Sequence, residues 1–194
     1  MTKRLSDLNA NAFFAETRLP FFAFDFVLLR ELYKTTDFIP LKEKLSWSFK
    51  TFGDLNVEKL YDLLRLRTEV FVIGQQCVYQ DMDGLDNRAI HVCGHLNGVL
   101  VAYCRVFPPD IVEPGYGNFG RVAVDKAMRG KAFGRQLMRE TIGYMQKHWP
   151  ENDILIHAQH YLKAFYESLG FRQCSEIYDE VGIPHIHMLM DKPQ

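Results

Sequence analysis

From Leu45 onward the apolar and polar positions change period several times, and each change marks an element. "WSFKTF" alternates, with Trp47, Phe49 and Thr51 on one face, and predicts a strand. Past "GDLN", Asn56 carries a side chain suited to a helix N-cap, and Leu60, Leu63, Leu64, Val70 and Phe71 form a helical stripe. "AIHVCGHLNGVLVAYCRVF" reads as two strands around Asn97-Gly98, a pair suited to a type I′ turn because both residues tolerate positive φ. "FGRVAV" adds a third strand. The helix behind it buries Phe133, Leu137, Met138, Ile142 and Met145 and stops before Pro150. The rest predicts a strand "ILIHAQ", a short helix "YLKAFYESL" closed by Gly170, a strand "FRQCSEIYDE" and a last strand "HIHMLM". The order β-α-β-β-β-α-β-α-β-β describes an α/β (α+β) fold, a mixed sheet with helices on its faces. Residues 1–45 read as an N-terminal extension of unknown role ahead of a domain over 46–192. Within it, "AFDFVLLRELYK" predicts a short helix packing Phe24, Val27, Leu28 and Leu32.

Composition narrows the classes. A chain of 194 residues with 47% hydrophobic and 24% charged positions suits one substantial core plus an appendage. A formal net charge of −1 and a pI of 6.6 give no global positive field for nucleic acid or an anionic membrane, so any anion site has to be local. Cys77, Cys93, Cys104 and Cys174 include no C-x-x-C pair, which points to free thiols and a cytoplasmic setting. "PFFAFDFVLLRELY" is too short to span a bilayer, is broken by Asp25, Arg30 and Glu31, and lacks the layout of a signal peptide.

Two glycine-rich stretches carry candidate chemistry. "GYGNFG", Gly115 to Gly120, matches G-x-G-x-x-G literally, but Pro114 precedes it and a strand follows, whereas a dinucleotide motif opens a helix; it reads as a loop. "RGKAFG", Arg129 to Gly134, does open a helix. The first helical N–H groups have no intrahelical partner and the macrodipole adds positive charge, so a phosphate fits there. Gly130 and Gly134 permit close approach, and Arg129, Lys131 and Arg135 supply charge. On this stretch alone, a plain helix start with solvated basic side chains is an equal reading.

"RVAV", "RGKAFG", "LIHAQ" and "AFYESLGF" stand in an order and spacing that resemble the GNAT (Gcn5-related N-acetyltransferase) superfamily over roughly residues 46 to 192. "LLRLRTEVFVIGQQCVYQDMDGLDNRAIH" and "GIPHI" look like its ElaA-like branch. The resemblance implies an acyl-CoA N-acyltransferase fold with splayed central strands, acetyl-CoA as co-substrate and an amine acceptor. It places the phosphate loop on Arg129, Gly130, Lys131, Ala132, Phe133 and Gly134, with Arg135 adjoining. Ala132 stands where the family pattern has its middle glycine, and its methyl would crowd the pyrophosphate unless φ there stays negative. The cofactor strand falls on Val122, Ala123 and Val124; it implies a gap toward Gln159 that takes the pantetheine arm, with a main-chain N–H for the thioester oxygen. Tyr166, four residues before Gly170, takes the position of a family tyrosine that stabilises the departing thiolate.

The acceptor side is less defined. Glu69, Asp81, Asp83, Asp86 and His91 are candidate bases, and spacing singles out none of them. The loop "YQDMDGLD" offers Tyr79 and the three aspartates either to a cationic amine or simply to water. Gly74 occupies a position where ElaA-like chains often carry glutamate. His91, Cys93 and His95 share a strand face, as do His185 and His187, but same-face neighbours about 7 Å apart span a tetrahedral metal site poorly, so no metal is expected. The expected activity is acetyl transfer from acetyl-CoA to a primary amine of a small molecule or peptide by direct attack. A non-catalytic acyl-CoA-binding module is the alternative, and either reading leaves room for a homodimer.

Overall fold

The computed structural model describes residues 45–194; the helix expected around Phe24 to Leu32 lies outside them. Four antiparallel strands form one sheet in chain order: β1 (Leu45–Thr51), β2 (Ile90–Leu96), β3 (Val99–Phe107) and β4 (Asn118–Val124). A second sheet is built on β8 (Ile183–Met190). Strand β5 (Ile154–Gln159) pairs along one edge of β8, and β6 (Arg172–Gln173) and β7 (Tyr178–Glu180) share the other. The helices are α1 (Val57–Arg67), α2 (Phe133–His148) and the single turn and a half of α3 (Lys163–Glu167).

Period-two alternation in the strands sorts side chains between two helical layers. Val92, Cys104 and Val106 from the first sheet, and Ile154, Ile156, Ile186 and Met188 from the second, meet Leu137, Met138, Ile142 and Met145 of α2 in one core. That core spans both sheets. On the opposite face, Cys93, Tyr103 and Ala123 meet Leu63, Leu66 and Val70. Strand β3 is therefore covered on both sides, and from Val101 to Phe107 every residue is buried. Gly94 pairs with Trp47, and a Cβ there would stand 2.5 Å from the indole, so the glycine makes room for the ring.

Local signals in the sequence act as anticipated at several turns. Asn56 Oδ1 accepts the Lys59 N–H at 2.9 Å and caps α1. Asn97 and Gly98 take φ of 52° and 86° and close the β2–β3 hairpin. "GYGNFG" is a loop that runs into β4, not the start of a helix. Two elements differ from expectation. The α1 stripe does not continue as α-helix beyond Arg67 but passes into a π-helical turn, Thr68–Ile73, which the Gly74 N–H closes on the Glu69 carbonyl at 2.9 Å. The run "FRQCSEIYDE" splits into β6 and β7 because the Ser175 hydroxyl, not a backbone carbonyl, accepts the His187 N–H at 2.8 Å, and the chain leaves the ladder there. Among the described residues no helix is long and apolar enough to cross a membrane.

Candidate active site

Strands β4 and β5 start together and then part. The Gly117 N–H donates to the Asp153 carbonyl and the Leu155 N–H to the Gly117 carbonyl, both at 3.0 Å, and Asn118 Nδ2 donates to the Leu155 carbonyl at 2.6 Å. Beyond this clasp the two strands belong to different sheets. The cause lies in β4. Ala123 faces Tyr103 and Gly120 faces Arg105, so Arg121 and Val122 together oppose Cys104, and Arg121 takes a φ of +54°. Such a bulge bends its strand and adds twist, carrying the end of β4 away from β5. Two strand edges then face each other with backbone groups that no neighbouring strand among the described residues satisfies.

A cleft of about 440 Å³ fills the opening. Phe119 to Val122 line it from β4, and Ile156 to Gln159 from β5. Tyr166 of α3 also lines it, 5% exposed, its ring against Phe119 and Phe171 with centroids 6.2 and 5.9 Å away. Burial raises the Tyr166 pKa above that of an ordinary phenol, with a smaller push from Cys104, so the group stays protonated at neutral pH. Its hydroxyl has no hydrogen-bond partner among the described residues. Of the residues expected along the cofactor path, Val122, Gln159 and Tyr166 line the cleft, while Ala123 is buried under α1.

The loop from Arg129 lies at the C-terminal end of β4 and outside the cleft lining. A Cβ at Gly134 would stand 3.8 Å from Val124 Cγ2, which ties the start of α2 to the end of the strand. Phe133 is buried beside Leu96 and Val101, whereas Arg129, Gly130, Lys131 and Ala132 are exposed. Among the described residues no side chain caps α2, so its first N–H groups have neither an intrahelical acceptor nor a side-chain one there. Two positions here bear on the phosphate contact. Ala132 has a φ of +61°, so its methyl sits on a left-handed residue. Arg135 donates to Ser168 Oγ at 3.0 Å and lies 5.7 Å over the Phe165 ring, a bracing of α2 against α3 that competes with any phosphate contact.

The acceptor-side candidates disperse. Tyr79 lines the cleft and donates to Asp81 Oδ1 at 3.0 Å; burial pushes its phenol up to about 12. Asp81 is 4% exposed, and both of its carboxylate oxygens are engaged. Arg67 Nε and Arg121 Nε reach its two oxygens at 2.7 and 2.6 Å. Burial opposes its ionisation, but the hydrogen bond and charge of Arg67, then the charge of Arg121, outweigh that and hold the pKa below the usual carboxylate range. Asp83 is held low in the same way against burial, chiefly by a bidentate bond from Arg105 at 2.6 and 2.7 Å. Asp86 takes Arg67 at 2.6 Å and Arg105 at 3.0 Å. The acidic loop is thus a neutralised network of three arginines and three aspartates. Glu69 is exposed on the π-helical turn and does not line the cleft.

His91 is sealed in the interior, and burial lowers its pKa. The Asp86 carbonyl, 3.0 Å from Nε2, can only accept, so Nε2 carries the hydrogen and Nδ1 accepts from the Tyr103 hydroxyl at 2.8 Å. Neither nitrogen is left for a substrate. Sequence reasoning passed over Arg67, Arg105 and Arg121. A signal was present: Arg67 falls within the buried stripe of α1, and Arg105 sits between Cys104 and Val106 in an apolar strand, positions where a charge demands a partner.

The Acetyltransferase (GNAT) domain matches residues 58–192. Protein ElaA of Escherichia coli (strain K12) is 44% identical over 149 residues, covering 74% of this chain and 95% of that protein. Among solved structures, an acyl-CoA N-acyltransferase from Pseudomonas aeruginosa superposes with a TM-score of 0.73 at 39% identity, covering 76% of this chain and 100% of that one. Escherichia coli ElaA does so with a TM-score of 0.71 at 40% identity, covering 76% and 100%. The bulged and parted strands, the uncapped helix start and these similarities have one common source: the chain belongs to the GNAT acetyltransferase family and is an acyltransferase of that fold.

Proposed function

We propose that the protein transfers an acetyl group from acetyl-CoA to a primary amine of a small molecule or peptide by direct attack, in the cytoplasm. Acetyl-CoA supplies the thioester. The residues present suit it: the N–H groups of Phe133, Gly134 and Arg135, with Arg129 and Lys131 around them, offer an anion site for the pyrophosphate. The free edges of β4 and β5 offer backbone donors and acceptors to an amide-bearing arm, and an amide N–H at the bulge would hold the thioester oxygen as it becomes negative. Tyr166, kept protonated by burial, donates a hydrogen bond to the departing thiolate. A phenol less acidic than a thiol favours that bond over complete proton transfer. Four free cysteines accord with a reducing compartment, and the two in the core, Cys93 and Cys104, have pKa values pushed up to about 12 by burial, so neither is a ready nucleophile.

The observation that carries this reading is the position of Tyr166, a neutral phenol at the side of the cleft between the parted strands, with no hydrogen-bond partner among the described residues. Calorimetry with acetyl-CoA and thiol release across a panel of amines test it. Tyr166→Phe is expected to lower kcat about 10²- to 10⁴-fold with acetyl-CoA affinity unchanged. An absence of binding heat, or a Phe variant as fast as the parent, would overturn it.

A further inference from the structure

With the aspartates neutralised and His91 sealed, the cleft still has to accept a proton from the acceptor. A primary amine arrives mainly as ammonium and cannot attack until it loses one. Two histidines line the cleft, His157 of β5 and His185 of β8. They differ in how their rings are held. His157 has its Nε2 3.3 Å from Glu113 Oε1, stacks on His187 at 4.3 Å, and is one-third exposed at the rim. His185 is 8% exposed, and its Nδ1 lies 2.8 Å from the Ile183 carbonyl. A carbonyl oxygen only accepts, so Nδ1 carries the hydrogen and Nε2 keeps its lone pair. Nε2 has no hydrogen-bond partner among the described residues. An imidazole fixed in one tautomer by its backbone, with an unused lone pair in a substrate-sized cleft, has the arrangement a general base requires.

Charges around it favour an ammonium. From β7, Tyr178 stands with its ring 6.0 Å away and its hydroxyl buried without a partner, and Glu180 lines the cleft with no salt-bridge partner among the described residues. On β5, Gln159 is the register partner of His185, and His157 Nε2 stands 3.3 Å from Glu113 Oε1. Across the opening, Asp83 is matched by Arg105 and Arg121, so that wall contributes little net charge, and Tyr79 is neutral.

We infer that His185 is the general base, taking a proton from the acceptor ammonium on Nε2 while Glu180 draws the cation to the β7–β8 side of the cleft. This rests on the acetyl transfer proposed above. The ammonium N–H bond breaks to Nε2, the freed lone pair forms the C–N bond, and the C–S bond breaks toward the thiolate. The nitrogen's second proton ends on the sulfur and His185 returns its own to water, so ammonium plus thioester gives amide, thiol and one proton.

The test pairs kinetics with spectroscopy on the full chain. His185→Gln should lower kcat/KM for the amine about 10²- to 10⁴-fold, remove the one-proton acid limb of its pH profile and leave the heat of acetyl-CoA binding unchanged. Rate should recover as pH rises and the free amine becomes abundant. His157→Gln should keep the limb. In the ligand-free parent, long-range 1H–15N spectra should show His185 as the Nδ1–H tautomer, a readout independent of turnover. An Nε2–H tautomer, an acid limb that follows His157, or a Gln variant with the parent's profile overturns the inference while leaving acetyl transfer intact. A parent that binds acetyl-CoA yet releases no thiol with any amine overturns the transfer itself, and the base with it.

Discussion

At the scale of single residues, Ala132 and Gly74 stand where the resemblance to GNAT chains implies a glycine and a glutamate, and only one of them is comfortable. Ala132 holds a φ of +61° at the entry to α2, a conformation that costs an L-residue about 1–2 kcal/mol. Replacing it with glycine removes that cost but loosens the unfolded chain, which gives back about 0.4–1 kcal/mol. Ala132→Gly is therefore expected to leave stability equal or raise it by up to about 1.6 kcal/mol. It should also tighten acetyl-CoA, since the methyl no longer meets the pyrophosphate. Urea unfolding and calorimetry read the two effects, and an affinity unchanged in the glycine variant would place the phosphates away from this methyl. Gly74 is the opposite case. A Cβ there would stand 2.8 Å from the Glu69 and Val70 carbonyl oxygens, so the tight closure of the π-helical turn accounts for the glycine. A chain with glutamate at that point must open the turn, and the missing carboxylate follows from this backbone.

At the scale of elements, the arginine–aspartate network fastens the loop after α1 to the bulge of β4. Arg121, on the strained bulge, reaches Asp81 at 2.6 Å, and Arg67, fully buried at the end of α1, reaches the same carboxylate from the other side. The network sets one wall of the cleft. Removing one partner strands the others: Arg67→Met is expected to cost about 3–5 kcal/mol, the usual penalty for an uncompensated buried charge. Because Asp81 and Asp83 have folded pKa values below their unfolded ones, their contribution is complete above the unfolded value of about 4 and fades as pH falls through the folded one. Urea midpoints from pH 7 down to pH 3 should decline for the parent and decline less steeply for Arg67→Met. Parallel curves would mean the network does not control acid stability. This is also the part of the molecule hardest to see in the sequence. Strands with one apolar face, the Asn56 cap and the Asn97-Gly98 turn are each decided within a few residues, so local pattern reveals them. Arg67 and Asp81 are 14 residues apart and Arg121 and Asp81 are 40, and no local rule joins them. The same holds for the cleft. Tyr166 and the loop at Arg129 lie in short ordered motifs, whereas the tautomer of His185 depends on the backbone of β8 and its access to the cleft on how β4 parts from β5.

At the scale of the whole molecule, two sheets share one core but, among the described residues, are joined strand to strand only at the Gly117 clasp. Ile154, Ile156, Ile186 and Met188 pack on the same α2 side chains as Val92, Cys104 and Val106, so one core supports both sides of the gap. The cost is a set of strand-edge amides facing water where a continuous sheet would pair them. A ligand that inserts between β4 and β5 satisfies those groups without moving the core. Acetyl-CoA should therefore slow hydrogen exchange in Gly120 to Val124, Ala158 and Gln159, and at the start of α2, while the exchange of β2 and of the middle of α2 shifts only with global stability. At a hundred times its Kd the ligand should add about 2.7 kcal/mol to unfolding, which bounds that global part. Exchange measured with and without acetyl-CoA separates the two contributions. Protection confined to α2, with both strand edges unchanged, would mean that the phosphates dock but the acyl arm lies elsewhere, and the parted strands would then need another explanation.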